Sequence, residues 1–524
     1  MSRITRREFV KGAAGAALTL AVGGRFAAGA PGGPKRPNIL LIIDDQHSPR
    51  AMGWTGRTQV LTPHLDRLAG QSVAFTNAYC NSPVCAPTRH CLYTGLHTPQ
   101  HGVLMNDIPM REDVTTIIAR LNRAGYTTAN IGKMHNAPYT HRRDFQYVLN
   151  HEFFTSDGGV THYGPWLRQE LARRGLKAPA RPWSRPVTAG AQTWLQDAQC
   201  IAHVNWMSED LTPEHWITDQ SLAFIKDQLA HRPDKPFFLH ASYFPPHHPY
   251  GPIRQYAEMY DPDKIKLPPN YDGAAMRQWW RGQKGAGELT DAEVKRWIAM
   301  YFAFTTQLDA QIGRLLAGLE TLGVADNTLV IFTADHGDLL SEHSKFYKGL
   351  MYEGSAGVPF MIRWPGKARP RREKALVSHV DLSSTVLAAA GVRPPDEMVG
   401  RDLAPLLAER AWEDKPVFSV INHRMPFSNM MWRKGEYKLI AFPPRARQSP
   451  QVRYELYNMA RDPYEQKDLG GDAASADVLK EMVAELTAYW EPLAKLVPAE
   501  LPPTQRGRPA HFTWPPRPWE PRSV

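Results

Sequence analysis

The sequence predicts an α/β architecture: a large, mixed but mostly parallel sheet flanked by helices, with a smaller C-terminal α+β domain. Three observations lead there. First, short, wholly apolar, β-branched runs end abruptly in charged residues, as in Asn38–Asp45 and Thr328–Asp338, the pattern of strands buried on both faces. Second, helical patterns such as Thr115 to Ala124 and Trp297 to Leu319 lie between such runs, and alternating strand and helix builds a doubly wound sheet. Third, beyond Ala404 the pattern changes to short alternating segments, "KPVFSVIN", "NMMWRKG" and "EYKLIAF", which read as a small antiparallel sheet.

Taken in order, the chain begins with an address. Paired Arg6 and Arg7 precede a weakly apolar Ala/Gly run, Gly12 to Val22, too short to anchor in a bilayer, and small residues follow at Ala28-Gly29-Ala30. This order resembles a twin-arginine export signal over residues 1–30, with the twin-arginine translocon as partner and a periplasmic or secreted destination. These residues carry +4 of the formal charge of +10. The remaining excess is mild and lacks a dense Lys/Arg run with interleaved aromatics, so no nucleic-acid partner is expected. No later stretch has eighteen consecutive apolar residues, so no spanning helix is expected.

A catalytic domain is expected over residues 31–404. Its strand ends deliver Asp44 and Asp45, then His247 and His248 after "KPFFLHASYFPP", then Asp335, His336 and Asp338. In open α/β sheets the ligand crevice lies outside the carboxyl ends of the strands. Two Pro/Gly-rich stretches, Gly164 to Ala191 and Asp261 to Gly287, read as insertions. A small domain is expected over residues 405–500, with a helix near Val478 to Trp490, and a Pro-rich extended tail over 501–524 that clasps the second domain or a neighbouring subunit. A homo-oligomer is left open.

Crowded carboxylates at one edge repel unless a cation joins them. Asp44, Asp45 and Asp335 offer hard oxygen ligands for calcium or magnesium, and His336 adds a nitrogen that manganese tolerates better. The four cysteines, Cys80, Cys85, Cys91 and Cys200, are too few for a disulfide framework and lack zinc-site spacing. Cys80 with Cys91 or with Cys200 are the candidate bridges. Cys85 is set apart because Pro83 and Pro87 bracket it in a loop and Arg89 stands close enough to hold an anion beside it.

Cys85-Ala86-Pro87-Thr88-Arg89, followed by Leu92, Thr94 and Gly95, resembles the first signature of type I sulfatases, members of the alkaline phosphatase superfamily whose cysteine is oxidised to formylglycine. Gly125 to His135 is similar to the second signature, and Glu455 to Leu469 to a segment of the family's C-terminal domain. Tyr93 departs from the family pattern, which has an aliphatic residue, Phe or Trp there. The resemblance implies an alkaline-phosphatase-like sheet, a sulfate ester substrate on a small molecule or glycan, and a formylglycine-generating maturation enzyme. It also implies a divalent cation held by Asp44, Asp45, Cys85, Asp335 and His336, with calcium favoured and manganese or magnesium open. In the implied cycle one hydroxyl of the aldehyde hydrate attacks sulfur and the other later lets the ester collapse. Asp335 would serve as the attacking hydroxyl's base, Arg89 and Lys133 would bind the hydrate and the anion, and His135 would take the second hydroxyl's proton. His247 and Lys348 would protonate the leaving group, with His248 and Lys345 as their alternatives. Two other readings stay open: a phosphonate or phosphate ester hydrolase with the same tag, and a non-catalytic glycan-binding protein.

Overall fold

A computed structural model of the chain describes residues 36–56, 59–136, 144–152, 162–176, 202–205, 207–282, 289–424, 427–443 and 452–498. The expected export signal, Cys200, much of the first insertion and the Pro-rich tail lie outside the described residues.

Among the described residues the main sheet is built from β1 (Asn38–Asp45), β2 (Val73–Phe75), β3 (Thr127–Gly132), β4 (Tyr147–Asn150), β5 (Phe237–Pro246), β6 (Thr328–Ala334), β7 (Phe360–Arg363) and β8 (Arg371–Glu373). Their order across the sheet is β4-β3-β5-β1-β6-β7-β2-β8. Only β7 runs against its neighbours, β6 and β2. Helices α1 (Pro63–Gly70), α2 (Cys85–Thr94), α3 (Ile117–Arg123), α4 (Pro213–His231), α6 (Asp291–Thr321) and α7 (His379–Ala389) pack around it, while α5 (Gly273–Gly282) packs on α6 and α8 (Ala476–Ala494) belongs to the C-terminal part.

Side chains alternate across a strand, and β1 is apolar on both sides for that reason. Ile39, Leu41 and Ile43 pack with Leu92 and Tyr93 of α2, Ile117 of α3 and Leu382 and Val386 of α7. Leu40 and Ile42 face Leu65 of α1, Phe224 of α4 and Leu308 and Ile312 of α6. The sheet is thus covered on both faces, as its apolar runs require.

Register brings the functional segments to one edge. Asp44 of β1 lies beside Ala334 of β6, Asp45 beside Pro246 of β5, and Gly132 of β3 beside Ser242 of β5. Gly132 has φ +110°, and a Cβ there would come within 1.8 Å of the Ser242 carbonyl oxygen. Glycine alone permits this approach, which lets the Lys133 N–H donate to that carbonyl at 2.9 Å.

The C-terminal segments form an antiparallel sheet, β9 (Val417–Arg424), β10 (Phe427–Lys434), β11 (Tyr437–Phe442) and β12 (Arg453–Asn458), in sequential order. One face meets the catalytic portion through Met431, Ile440 and Tyr457 against Tyr79, Met351 and Leu376. Trp432, Leu439 and Leu456 on the other face pack on Met482 and Leu486 of α8. Buried ion pairs cross the first interface. Lys438 of β11 is fully buried, with Nζ 3.1 Å from Glu353 and 2.8 Å from Glu465; Arg50, paired with Glu342 on the catalytic side, also donates to the Pro463 carbonyl across it. Glu342 and Glu353 bracket the segment that carries Lys348.

Several expectations are corrected. Cys85 opens helix α2 rather than lying in a loop. Pro87 fits in the first turn, where its missing N–H had no partner to lose. Cys80 and Cys91 are buried free thiols, so the Cys80–Cys91 bridge is not formed. The two stretches read as insertions carry helices, Tyr163–Arg173 at the start of the first and α5 within the second. No helix among the described residues is long and apolar enough to cross a membrane.

Candidate active site

Ligand atoms of Asp45, Cys85, Asp335 and His336 lie within 4.8 Å of one another, all four residues buried. The Cys85 sulfur is 3.2 Å from His336 Nε2 and 3.9 Å from Asp45 Oδ1. His336 Nδ1 lies 3.0 Å from the Gly337 carbonyl, which turns Nε2 toward the cluster. Gly337 permits a tight turn here, since a Cβ would lie 2.0 Å from the Gly354 carbonyl oxygen.

Asp44, at the end of β1 beside Asp45, is raised from its ordinary value by burial and by the nearby Asp335 and Asp45 carboxylates, against the pull of His47. Asp44 Oδ2 lies 2.5 Å from His47 Nδ1, and Asp44 falls outside the group of four. Its Oδ1 is buried without a hydrogen-bond partner among the described residues.

Cations surround the cluster. Arg89 lies one helical turn after Cys85 on the same face of α2. Its Nε donates to Asp335 Oδ2 at 2.9 Å, and its Nη1 donates to Ser242 Oγ at 2.8 Å and to the Lys133 carbonyl at 3.2 Å. Lys133 Nζ pairs with Asp45 Oδ2. Burial and the nearby Cys85 sulfur press the Asp45 carboxyl up, yet Lys133, His247 and Lys348 together hold it below the usual carboxylate range. Asp335 is raised from its ordinary value, because burial and Asp45 outweigh His336 and Arg89. Against its own burial, the Cys85 thiol is pulled well below its ordinary value by Lys133, Lys348 and His336. The first turn of α2 adds the positive end of a helix.

The remaining expected residues also converge. His135, whose backbone is in the left-handed region at φ +54°, hydrogen-bonds Cys85 through its side chain. Its N–H donates to Glu152 Oε1 at 2.5 Å. His247 reaches the Cys85 sulfur, and its Nε2 is 2.6 Å from Lys348 Nζ. Lys345, by contrast, donates to the His343 carbonyl at 3.0 Å, and His248 Nδ1 lies 3.0 Å from the Gln46 amide nitrogen.

Gln46 and Ser242 are the residues that sequence reasoning passed over. The buried Gln46 accepts from Lys348 Nζ at 2.6 Å, donates to Asp338 at 2.6 Å, and gives its backbone N–H to Asp335 at 3.1 Å. Its signal was its position directly after two strand-end aspartates. Ser242 lies near the end of the apolar run of β5. Tyr93 reaches His240 Nδ1 at 3.4 Å and packs edge-on against Phe145, beneath α2 and away from the cluster.

Residues 37–392 match the family model "Sulfatase", and residues 341–491 match "N-sulphoglucosamine sulphohydrolase, C-terminal". The chain is 30% identical over 411 residues to an arylsulfatase of Clostridium perfringens, covering 72% of this chain and 80% of the relative. It is 27% identical over 470 residues to an ulvan-active sulfatase of Formosa agariphila, covering 86% and 81%. The solved phosphonate monoester hydrolase of Agrobacterium radiobacter superposes with a TM-score of 0.73 at 23% identity, covering 87% of this chain and 96% of that one, a likeness of fold. A Cys-x-Pro-x-Arg helix start set among buried carboxylates and the family match over most of its length agree: this chain belongs to the sulfatase family of the alkaline phosphatase superfamily and is a sulfuric ester hydrolase.

Proposed function

We propose that this sulfatase hydrolyses sulfate monoesters of a carbohydrate, using residue 85 as a formylglycine hydrate beside a divalent cation. The observation that carries the reading is the convergence of Cys85, Asp45, Asp335 and His336 within 4.8 Å, flanked by Arg89, Lys133 and the Lys348–His247 pair. The similarity to an ulvan-active sulfatase supports the carbohydrate class.

The donor set fits a cation: two carboxylates and an imidazole are buried together, and Asp44 Oδ1 adds an unpartnered oxygen nearby. Asp44, Asp45, Asp335, His336 and residue 85 would hold it; oxygen-dominated ligation favours calcium, with manganese or magnesium also compatible. Such a cation polarises sulfate oxygens and makes a nearby hydroxyl more acidic. The hydrate supplies paired hydroxyls, one a nucleophile and the other a route to release sulfate.

The chain's own residues take the remaining work. Asp335, raised by burial and by Asp45, is suited to accept the nucleophile's proton. Arg89 presents a planar fork that orients an anion, while Lys133 adds a compact positive charge. His135, hydrogen-bonded to residue 85, accepts the second proton. At the leaving-group side His247 Nδ1 donates to the His248 carbonyl at 2.5 Å, so Nε2 carries the lone pair and accepts from Lys348. Burial, followed by Lys348, lowers His247 to about 4. It is therefore neutral near pH 7, and Lys348 is the proton donor that His247 and Gln46 hold in place.

The test is a peptide mass map of active protein made with a formylglycine-generating partner. Turnover of matched sulfate and phosphonate esters is measured alongside it. An aldehyde at residue 85, sulfate release from hexose sulfates and silence of Cys85→Ala are expected. An unconverted thiol in active protein sinks the mechanism, and faster phosphonate turnover moves the assignment to phosphonate esters. Export is part of the proposal, and Arg6→Lys with Arg7→Lys should hold the protein in the cytoplasm.

A further inference from the structure

The proton donor stands at the inner end of a row of rings. His247, buried, stacks on His248 with ring centroids 4.1 Å apart, His248 lies 4.2 Å from Tyr347, and Tyr347 lies 5.8 Å from Trp279 of α5. Burial falls along the row: His247 is enclosed, while His248, Tyr347 and Trp279 are each partly exposed. Behind it, Phe346, Trp280 and Trp297 are buried and pack against one another or Trp279. Tyr347 is fixed by its backbone, with φ +73° and an N–H that donates to Asp338 Oδ1 at 3.0 Å.

A core needs no exposed edge. The buried indoles Trp280 and Trp297 already fill the cluster, so Trp279 and Tyr347 keep surface that packing does not use. That surface begins where the leaving oxygen would be protonated, one residue from Lys348, so whatever is attached to that oxygen must extend past these rings. A pyranose ring has an apolar C–H face and a polar rim. Aromatic faces, with their negative quadrupole, suit the former, and pockets of this kind orient ligands by a few polar groups among aromatic walls.

We propose that Trp279 and Tyr347 form the stacking wall for the sugar ring on the alcohol side of the scissile ester, with Trp279 a specificity-determining residue. This rests on the sulfate ester reading above and deepens it. The experiment compares Trp279→Ala and Trp279→Phe with the parent enzyme on monosulfated hexoses and on propyl sulfate, which has no ring to stack. Trp279→Ala should raise KM for the preferred hexose sulfate about tenfold, equivalent to about 1.4 kcal/mol. Its kcat, and kcat/KM for propyl sulfate, should stay within about twofold, and Trp279→Phe should restore most of the loss. Equal losses on both substrate types, no loss on either, or a loss confined to propyl sulfate overturns the proposal. Calorimetric binding of the same hexose sulfates to Cys85→Ala, with and without Trp279→Ala, reads the wall without turnover. A weakened Kd is expected and an unchanged one overturns the wall. A parent enzyme that cleaves only phosphonates refutes the carbohydrate reading instead, so the two failures are told apart.

Discussion

Replacing Lys348 with Met removes the ammonium while keeping a side chain of similar length. Its Nζ makes two contacts of 2.6 Å, to His247 Nε2 and to Gln46 Oε1. The two other nearby cations are committed elsewhere, Lys133 to Asp45 and Arg89 to Asp335. Among the described residues no substitute donor is therefore in position on that side, and the neutral His247 offers only a lone pair toward it. General acid catalysis is worth roughly 10²–10⁴ in rate, or about 3–5 kcal/mol of barrier. The loss should fall where the leaving group is a strong base. A hexose sulfate, which leaves as an alkoxide, should lose on the order of 10³ in kcat/KM. A nitrophenyl sulfate, whose phenolate needs no proton, should lose less than about tenfold because only orientation is disturbed. The assay is kcat/KM across aryl sulfates of increasing leaving-group basicity, with a steeper dependence expected for Lys348→Met than for the parent. Parallel lines would refute the assignment, since an electrostatic or structural role penalises all leaving groups alike. The orphaned His247 and Gln46 acceptors should cost about 1–3 kcal/mol of stability each at most, which a melting curve checks separately.

Gly132→Ala should be severe, because φ +110° and a methyl 1.8 Å from the Ser242 carbonyl oxygen force β3 from β5. A fall in Tm of many degrees, or loss of soluble protein, is expected, and a near-normal melting curve would contradict it. Arg89→Lys keeps the charge but loses the fork that joins Asp335, Ser242 and the Lys133 carbonyl, so kcat/KM should drop at least about 10²-fold, as sulfate release will show. Stripping divalent ions with a chelator should lower Tm, since a cation present at 100 times its Kd adds about 2.7 kcal/mol. Re-addition of calcium, manganese and magnesium then ranks the metals by recovery of Tm. Burial lowers His97 to about 3, so below about pH 6.5 the unfolded chain binds a proton that the folded one refuses. Stability is therefore complete above that pH and is lost as pH falls toward 3, by about 1.4 kcal/mol per unit where the difference is one proton. His97→Gln should flatten the dependence of Tm on pH between 6 and 4.

The catalytic edge was legible because a buried strand has to be apolar until it emerges, so the charged residues closing β1 and β6 mark where the chain reaches the crevice. The Cys85 to Arg89 spacing was legible for a related reason: four residues are one helical turn, and the turn places sulfur and guanidinium on one side. Other features depended on geometry that spacing does not encode. That His47 partners Asp44, with Nδ1 2.5 Å from Oδ2, depends on the turn after β1 and not on spacing alone. Gln46 carries no charge and drew no notice, yet its φ of +64° turns its amide among Lys348, Asp338 and His248. The helical start at Cys85 was hidden by two flanking prolines, which read as loop although the first helical turn tolerates them. The short strands β2 and β8 have three residues each, too few for a periodicity to register.

Lys438 and its two glutamates tie the C-terminal sheet to the very segment that carries Lys348, the proposed proton donor. An ammonium buried between carboxylates tolerates little displacement, because losing one partner strands a charge in a medium that cannot solvate it. Drift in the C-terminal half of the gene would therefore retune leaving-group reactivity along with recognition. Grafting that half from a relative would transplant the timing of bond cleavage as well as a taste for new sugars.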